Sequence, residues 1–432
     1  MTRAALILSA LSVGALPLSA QAPQPVKFVA GGITVIHKPV TANDVIAARL
    51  YLKGGSAALT PGTAGIERFI GAASSRGTTK YSKDDFANLA TATGTNLGME
   101  IEYDYTVATV QAVAQQWNEA WDLLIESSLH PLFLADEVDQ VRGVLLDELK
   151  QRKDNPDEHL KMLADSLLYR GHAYAVDPLG TPESMSRLRR EDLVTWHRRR
   201  MTKANLLLVV VGNVSREDLT RRVIAAFGSL PDSGGTPVAT PPFAGGTPEL
   251  TVVQQDLPTN YILGVYPAPA PRSPDFAAFR IATRVLGERL FEEVRTKRNL
   301  TYAVSAQLGS MAVNRGGLYV TAVKPDTTIK VIVAEVRKLQ QEPIPAARLG
   351  QSVNVFVTQL LMGQQTNMGQ AAELGAWEII GGGFANAGSY IQRLKSVTPQ
   401  EVQRAAQAYI KNAKFAVVGD PAKIDPTLFK GL

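Results

Sequence analysis

Apolar positions along the chain follow two alternating patterns. Val45–Leu52, Thr106–Val113, Tyr261–Tyr266 and Leu318–Val323 are short runs rich in β-branched and aromatic residues, and they predict strands. Trp117–Ser127, Ala135–Arg152, Asp275–Arg295 and Thr327–Gln341 repeat their apolar residues every three or four positions and predict helices. Two runs, Leu206–Gly212 and Lys414–Gly419, are almost wholly apolar and end on Gly. Each follows a charged stretch with helical character, Leu188–Lys203 in one case and Leu394–Lys411 in the other. Leu188 precedes Gly212 by 24 positions, and Leu394 precedes Gly419 by 25. The parallel order predicts a duplication into two similar α+β domains with helices packed on sheets.

A Pro/Gly-rich stretch separates the halves. Residues 231–248 hold five Pro and four Gly, a composition that keeps a chain extended and gives it little apolar surface to bury. The expected organisation is therefore 23–230, a linker at 231–248, and 249–432. Residues 1–22 read as a signal peptide: Arg3, then the uncharged apolar run Ala4–Leu16, then small residues around Ala20 and Ala22. An exported, periplasmic protein without a stable membrane span is expected.

Composition narrows the chemistry. The 432 residues carry 45 Lys and Arg against 40 Asp and Glu, a net charge of +5 that does not mark a nucleic-acid binder. The basic stretch Arg187–Arg200 is interrupted by Glu191 and Asp192 and reads as a solvated helix face. There is no cysteine, so disulfides, thiol catalysis and zinc–cysteine sites are excluded. The five histidines, His37, His130, His159, His172 and His197, include no pair three to five apart, so no local zinc motif forms. There is neither a Gly-x-Ser-x-Gly elbow nor a phosphate-binding loop. Gly381-Gly382-Gly383 reads as a helix stop or turn.

Four blocks, in order and at the right spacing, carry a resemblance. They are Ala64-Gly65-Ile66-Glu67-Arg68-Phe69-Ile70-Gly71-Ala72 with Arg76-Gly77-Thr78; Val141–Leu149; Gly171-His172-Ala173-Tyr174 with Gly180-Thr181-Pro182-Glu183; and Leu290–Tyr302. Together they resemble the pitrilysin/insulinase-type metallopeptidases, the inverzincins. The resemblance implies two homologous domains, each a mostly antiparallel sheet packed with helices. The family's zinc helix reads His-x-x-Glu-His. Here Arg68, Gly71 and Ala72 stand at those three positions, and Glu148 stands at the third metal ligand's. One carboxylate cannot hold zinc with an open position, and a fixed positive charge repels it. No metal is expected in this chain.

Taken alone, Arg68 reads as a solvated or ion-paired helix residue, or as a charge filling the vacated cavity. Glu148 reads as a relic or a salt-bridge partner. Arg295 lies in the last turns of a helix ending near Asn299, and Tyr302 opens the next strand; by themselves they read as a surface arginine and a packing aromatic. The resemblance implies more: a family Arg/Tyr pair at this spacing binds the substrate backbone and stabilises the developing oxyanion. It further implies the zinc-free subunit of a heterodimeric exported peptidase, acting in trans on unfolded peptides with a zinc-bearing His-x-x-Glu-His partner. The alternative is a non-catalytic structural or peptide-binding member of the family.

Overall fold

A computed structural model describes residues 23–233, 243 and 245–432. The expected signal peptide, and residues 234–242 and 244 of the expected linker, lie outside the described residues. The first sheet holds β1 (Val26–Ala30), β2 (Ile33–Pro39), β3 (Val45–Lys53), β4 (Asn96–Ile101), β5 (Tyr105–Val113) and β6 (Leu206–Gly212), in the order β1-β2-β6-β3-β5-β4. The second holds β7 (Glu249–Gln254), β8 (Asn260–Pro267), β9 (Val304–Leu308), β10 (Arg315–Ala322) and β11 (Lys414–Gly419), in the order β7-β11-β8-β10-β9. Each sheet has one parallel pairing, β2 with β6 and β7 with β11; the rest are antiparallel. Beyond β1 the two strand orders superpose, so the duplication holds at the level of topology.

The apolar runs β6 and β11 are explained by what covers them. Successive side chains of a strand point to opposite faces. Leu206, Leu208 and Val210 of β6 enter the core formed with helices of their own half, including Trp121, Leu124 and Val223. Leu207, Val209 and Val211 meet Ala371 and Leu374. Those two belong to the helix Asn367–Ile380 of the other half. On β11, Phe415 and Val417 face the second half's own core. Ala416 and Val418 meet Leu160, Ala164 and Leu168, from the first half's helix Pro156–Leu168. Each half therefore covers one face of the other's sheet, and a strand buried on both faces is apolar throughout.

Polar contacts fix this exchange. Asn367 Nδ2 donates to the Val45 carbonyl at 2.6 Å, and Tyr169 Oη donates to the Val313 carbonyl at 2.9 Å. Asp165 pairs with Arg315 at 2.6 Å, and the Ala312 amide donates to Asp104 at 3.0 Å. Burial raises the Asp104 pKa.

Three local expectations need correction. Leu394–Lys411 is not one helix: the chain breaks between Ala385–Lys395 and Pro399–Tyr409 because Thr398 and Glu401 form a capping box ahead of Pro399. The basic stretch is not wholly solvated, since Arg200 is buried against Glu67 at 3.7 Å and donates to the Lys53 carbonyl. Strand β9 begins at Val304 rather than Tyr302, because Thr301 Oγ1 takes the Ala303 amide at 3.0 Å and holds the chain in a local turn. Gly381–Gly383 does end a helix, with Gly382 at φ 81° and Gly383 at φ 120°.

Candidate functional site

The helix Ile66–Ser74 starts after Gly65, whose φ of 78° suits glycine. Ile66, Phe69, Ile70 and Ala73 are buried at helical spacing and anchor it to the core. Glu67 is buried with them. Its carboxylate accepts from Thr106 Oγ1 at 2.5 Å and Trp196 Nε1 at 3.3 Å, and burial raises its pKa against the pull of Arg200.

The opposite side carries Arg68, Gly71 and Ala72. Together with Glu148, on the helix Ala135–Asp154, they line a cleft of about 350 Å³. Arg68 donates from Nη2 to Glu148 Oε2 and from Nη1 to the Leu179 carbonyl at 3.1 Å. Two of the open alternatives thus merge: Arg68 is ion-paired, its partner is Glu148, and the pair lines the cleft. Beside it, Met99 of β4 presses on the helix. A Cβ on Gly71 would stand 1.8 Å from the Met99 sulfur. Strand β4 lies at the sheet's edge, so its outer side has no partner strand among the described residues.

Arg295 and Tyr302 sit on the second half. The helix Phe276–Leu290 runs on as a π-helical turn, Phe291–Thr296, which carries Arg295. It stops at Asn299, with φ 49°, whose amide donates to the Arg295 carbonyl at 3.0 Å; the Leu300 amide donates to the Val294 carbonyl at 3.0 Å. That left-handed stop closes the helix as expected. Tyr302 is 83% exposed and makes no hydrogen bond among the described residues. The Arg295 guanidinium lies 4.8 Å from the Phe291 ring centroid. The neighbouring carboxylates are engaged elsewhere, Glu292 by Lys297 at 3.0 Å and Glu293 by Lys297 at 2.7 Å and Arg298 at 2.6 Å. Both groups are presented outward, and neither joins the Arg68–Glu148 cleft.

Two family models match this chain. Residues 34–181 match the insulinase (peptidase family M16) model, and residues 187–356 match the peptidase M16 inactive domain. The chain belongs to the M16 peptidase family. It is 26% identical over 416 residues to an uncharacterized zinc protease of Mycobacterium bovis, with 94% of each chain covered. It is 23% identical over 408 residues to one of Streptomyces coelicolor, covering 90% of this chain and 88% of that one. A solved protease from Helicobacter pylori shares the fold with a TM-score of 0.86 and 19% identity over 93% of this chain and all of that one. So does a peptidase M16 inactive domain from Pseudomonas fluorescens, with a TM-score of 0.85 and 18% identity over 92% and 98%.

The zinc that several relatives' names imply does not fit the residues here. Gly71 and Ala72 offer no donor atom, Arg68 is cationic, and Glu148 is bound to Arg68. Among the described residues, no group of three or more His, Cys, Asp or Glu could hold a metal ion. No described helix is long and apolar enough to cross a membrane. Sequence reasoning missed Met99 and the Glu67–Arg200 pair. The spacing of Glu67, on the same helix side as Ile70 and Ser74, was the one available signal for the pair.

Proposed function

We propose that this M16 chain is the zinc-free subunit of an exported heterodimeric peptidase. A homologous periplasmic partner with His-x-x-Glu-His would hold the zinc, which supplies the activated water there. In this reading Arg295 and Tyr302 bind the backbone of an unfolded peptide and donate hydrogen bonds to the carbonyl oxygen as charge develops on it. Preorganised donors of this kind contribute roughly 2.7–4 kcal/mol each. The open side of β4 offers the peptide a strand edge to pair with.

The observation that supports the reading is the state of the two side chains. Among the described residues, the Tyr302 phenol, 83% exposed, makes no hydrogen bond and no carboxylate of its own helix engages the Arg295 guanidinium, so both donors are free to meet a group outside the chain.

The test is peptide cleavage by this chain, by the partner, and by the mixture. Activity in the mixture alone, reduced about 100-fold or more by Tyr302→Phe, supports the reading. Full activity of the partner without this chain would replace it with the non-catalytic, structural or peptide-binding role.

A further inference from the structure

A second cavity lies in the second half, away from Arg295 and Tyr302. It is an open cleft of about 460 Å³, within the range of small-ligand pockets, lined mainly by the helices Phe276–Leu290, Ala346–Gly363, Asn367–Ile380 and Ala385–Lys395. Four aromatic side chains line it: Phe276, Phe356, Trp377 and Tyr390. The Trp377 and Tyr390 centroids are 4.9 Å apart, and those of Phe276 and Tyr390 are 5.9 Å apart.

The cation that lines the cavity among these rings is Arg280. Its guanidinium carbon lies 4.9 Å from the Phe276 centroid and 5.5 Å from that of Phe356. It makes no ion pair among the described residues, and its Nε is buried without a hydrogen-bond partner. The carboxylates nearest along its helix are committed: Glu288 to Arg284 at 2.8 Å and Arg348 at 3.4 Å, Asp275 to Arg404 at 3.1 Å. Arg393 also stacks on Trp377 and Tyr390, but it donates to the Asn386 carbonyl at 3.1 Å and does not line the cavity. A cavity of about 530 Å³ in the first half, lined by Arg152, behaves differently. There Arg152 is neutralised by Asp177 at 2.6 Å and Glu158 at 3.3 Å, whereas Arg187, also in its lining, makes no ion pair among the described residues and has no aromatic ring stacked on it.

The neighbouring polar group is the neutral Tyr390 hydroxyl, so Arg280 has no carboxylate partner among the described residues; an arginine in that state between aromatic faces matches a planar carboxylate attached to an apolar group. Glu373 also lines the cavity, its carboxylate engaged by Gln364 Nε2 at 2.7 Å. The geometry points to a binding pocket for the carboxy-terminal residue of a peptide, with the free carboxylate on Arg280 and an aromatic or large aliphatic side chain among Phe276, Phe356, Trp377 and Tyr390. This site goes beyond the proposed role of Arg295 and Tyr302 and does not depend on a partner.

The test uses the full chain without any partner. Ala-Ala-Phe is titrated as the free acid and as its carboxamide, with calorimetry as the readout. The acid should bind in a saturable way and the carboxamide about tenfold or more weakly, since a charge-assisted pair is lost. Arg280→Gln should erase the difference between the two. Because the acid and carboxamide are compared on the unaltered chain, a folding defect in the variant cannot mask the result. Equal binding of both peptides, or no saturable binding of either, overturns the assignment.

Discussion

Arg68 and Glu148, 80 positions apart, meet across the cleft that Gly71 and Ala72 also line. Their side chains differ in exposure, 18% for Arg68 and 49% for Glu148. The ion pair is therefore screened and contributes little by itself. Arg68→Ala also removes the bond to the Leu179 carbonyl and should cost about 1–2 kcal/mol, whereas Glu148→Gln should cost less than about 1 kcal/mol. Urea denaturation of both variants checks this order.

Building a His-x-x-Glu-His motif into the helix Ile66–Ser74 meets a steric obstacle. With Arg68→His, Gly71→Glu and Ala72→His combined, the side chain introduced at position 71 must displace Met99. Adding Met99→Ala should tighten zinc binding about tenfold or more over the triple variant, in equilibrium dialysis against a competing chelator. Equal affinities would show that Met99 moves aside freely.

Tyr302→Phe should leave the folding stability of this chain within about 0.5 kcal/mol, and Arg295→Ala, which loses only an exposed contact with the Phe291 ring, within about 1 kcal/mol. Thermal melts of the isolated chain decide the point. A loss of several kcal/mol would assign the pair a structural role.

Glu67 is the opposite case. Glu67→Ala would leave Arg200 buried without its counter-charge, and Thr106 and Trp196 without their acceptor. A loss of about 3–5 kcal/mol is expected from chemical denaturation. The double variant Glu67→Leu with Arg200→Met should recover part of it, since no charge is then stranded.

His37 gives the chain a pH dependence with a definite sign. It is buried, its Nε2 has no hydrogen-bond partner, and burial lowers its pKa below the ordinary 6.5. The unfolded chain then takes up a proton that the folded site refuses, so this contribution is present above pH 6.5 and is lost as pH falls toward the lowered folded value. Relative to His37→Leu, the wild type should lose up to about 1.4 kcal/mol per pH unit below that point. Melting curves of both proteins from about pH 8 to about pH 5 measure the slope across this window.

Much of the fold was legible where a single physical signal dominates. Leu206–Gly212 and Lys414–Gly419 read as buried strands because both faces are covered, and Asn299 read as a helix stop because Asn tolerates a left-handed backbone. β4 left little trace, since an edge strand with mostly exposed positions and a central Gly98 lacks clean alternation. The positions Arg68, Gly71, Ala72 and Glu148 were singled out by resemblance, and they line one cleft. That Arg68 chooses Glu148, and that Met99 leans on Gly71, depends on elements distant in sequence, which no local pattern encodes. The same holds for Arg280, whose neighbours come from four helices.

The helices Pro156–Leu168 and Asn367–Ile380 occupy corresponding places in the two halves, and each roofs the sheet of the other. Cutting the chain between the sheets would therefore not release two domains. A fragment made of either half would carry a bare sheet face on one side and an orphaned apolar helix on the other, and two such fragments could satisfy both needs by trading helices. The chain has the connectivity of an exchanged dimer whose copies are joined end to end, and the two copies differ in what they present: one the Arg68–Glu148 cleft, the other an outward-facing arginine and tyrosine.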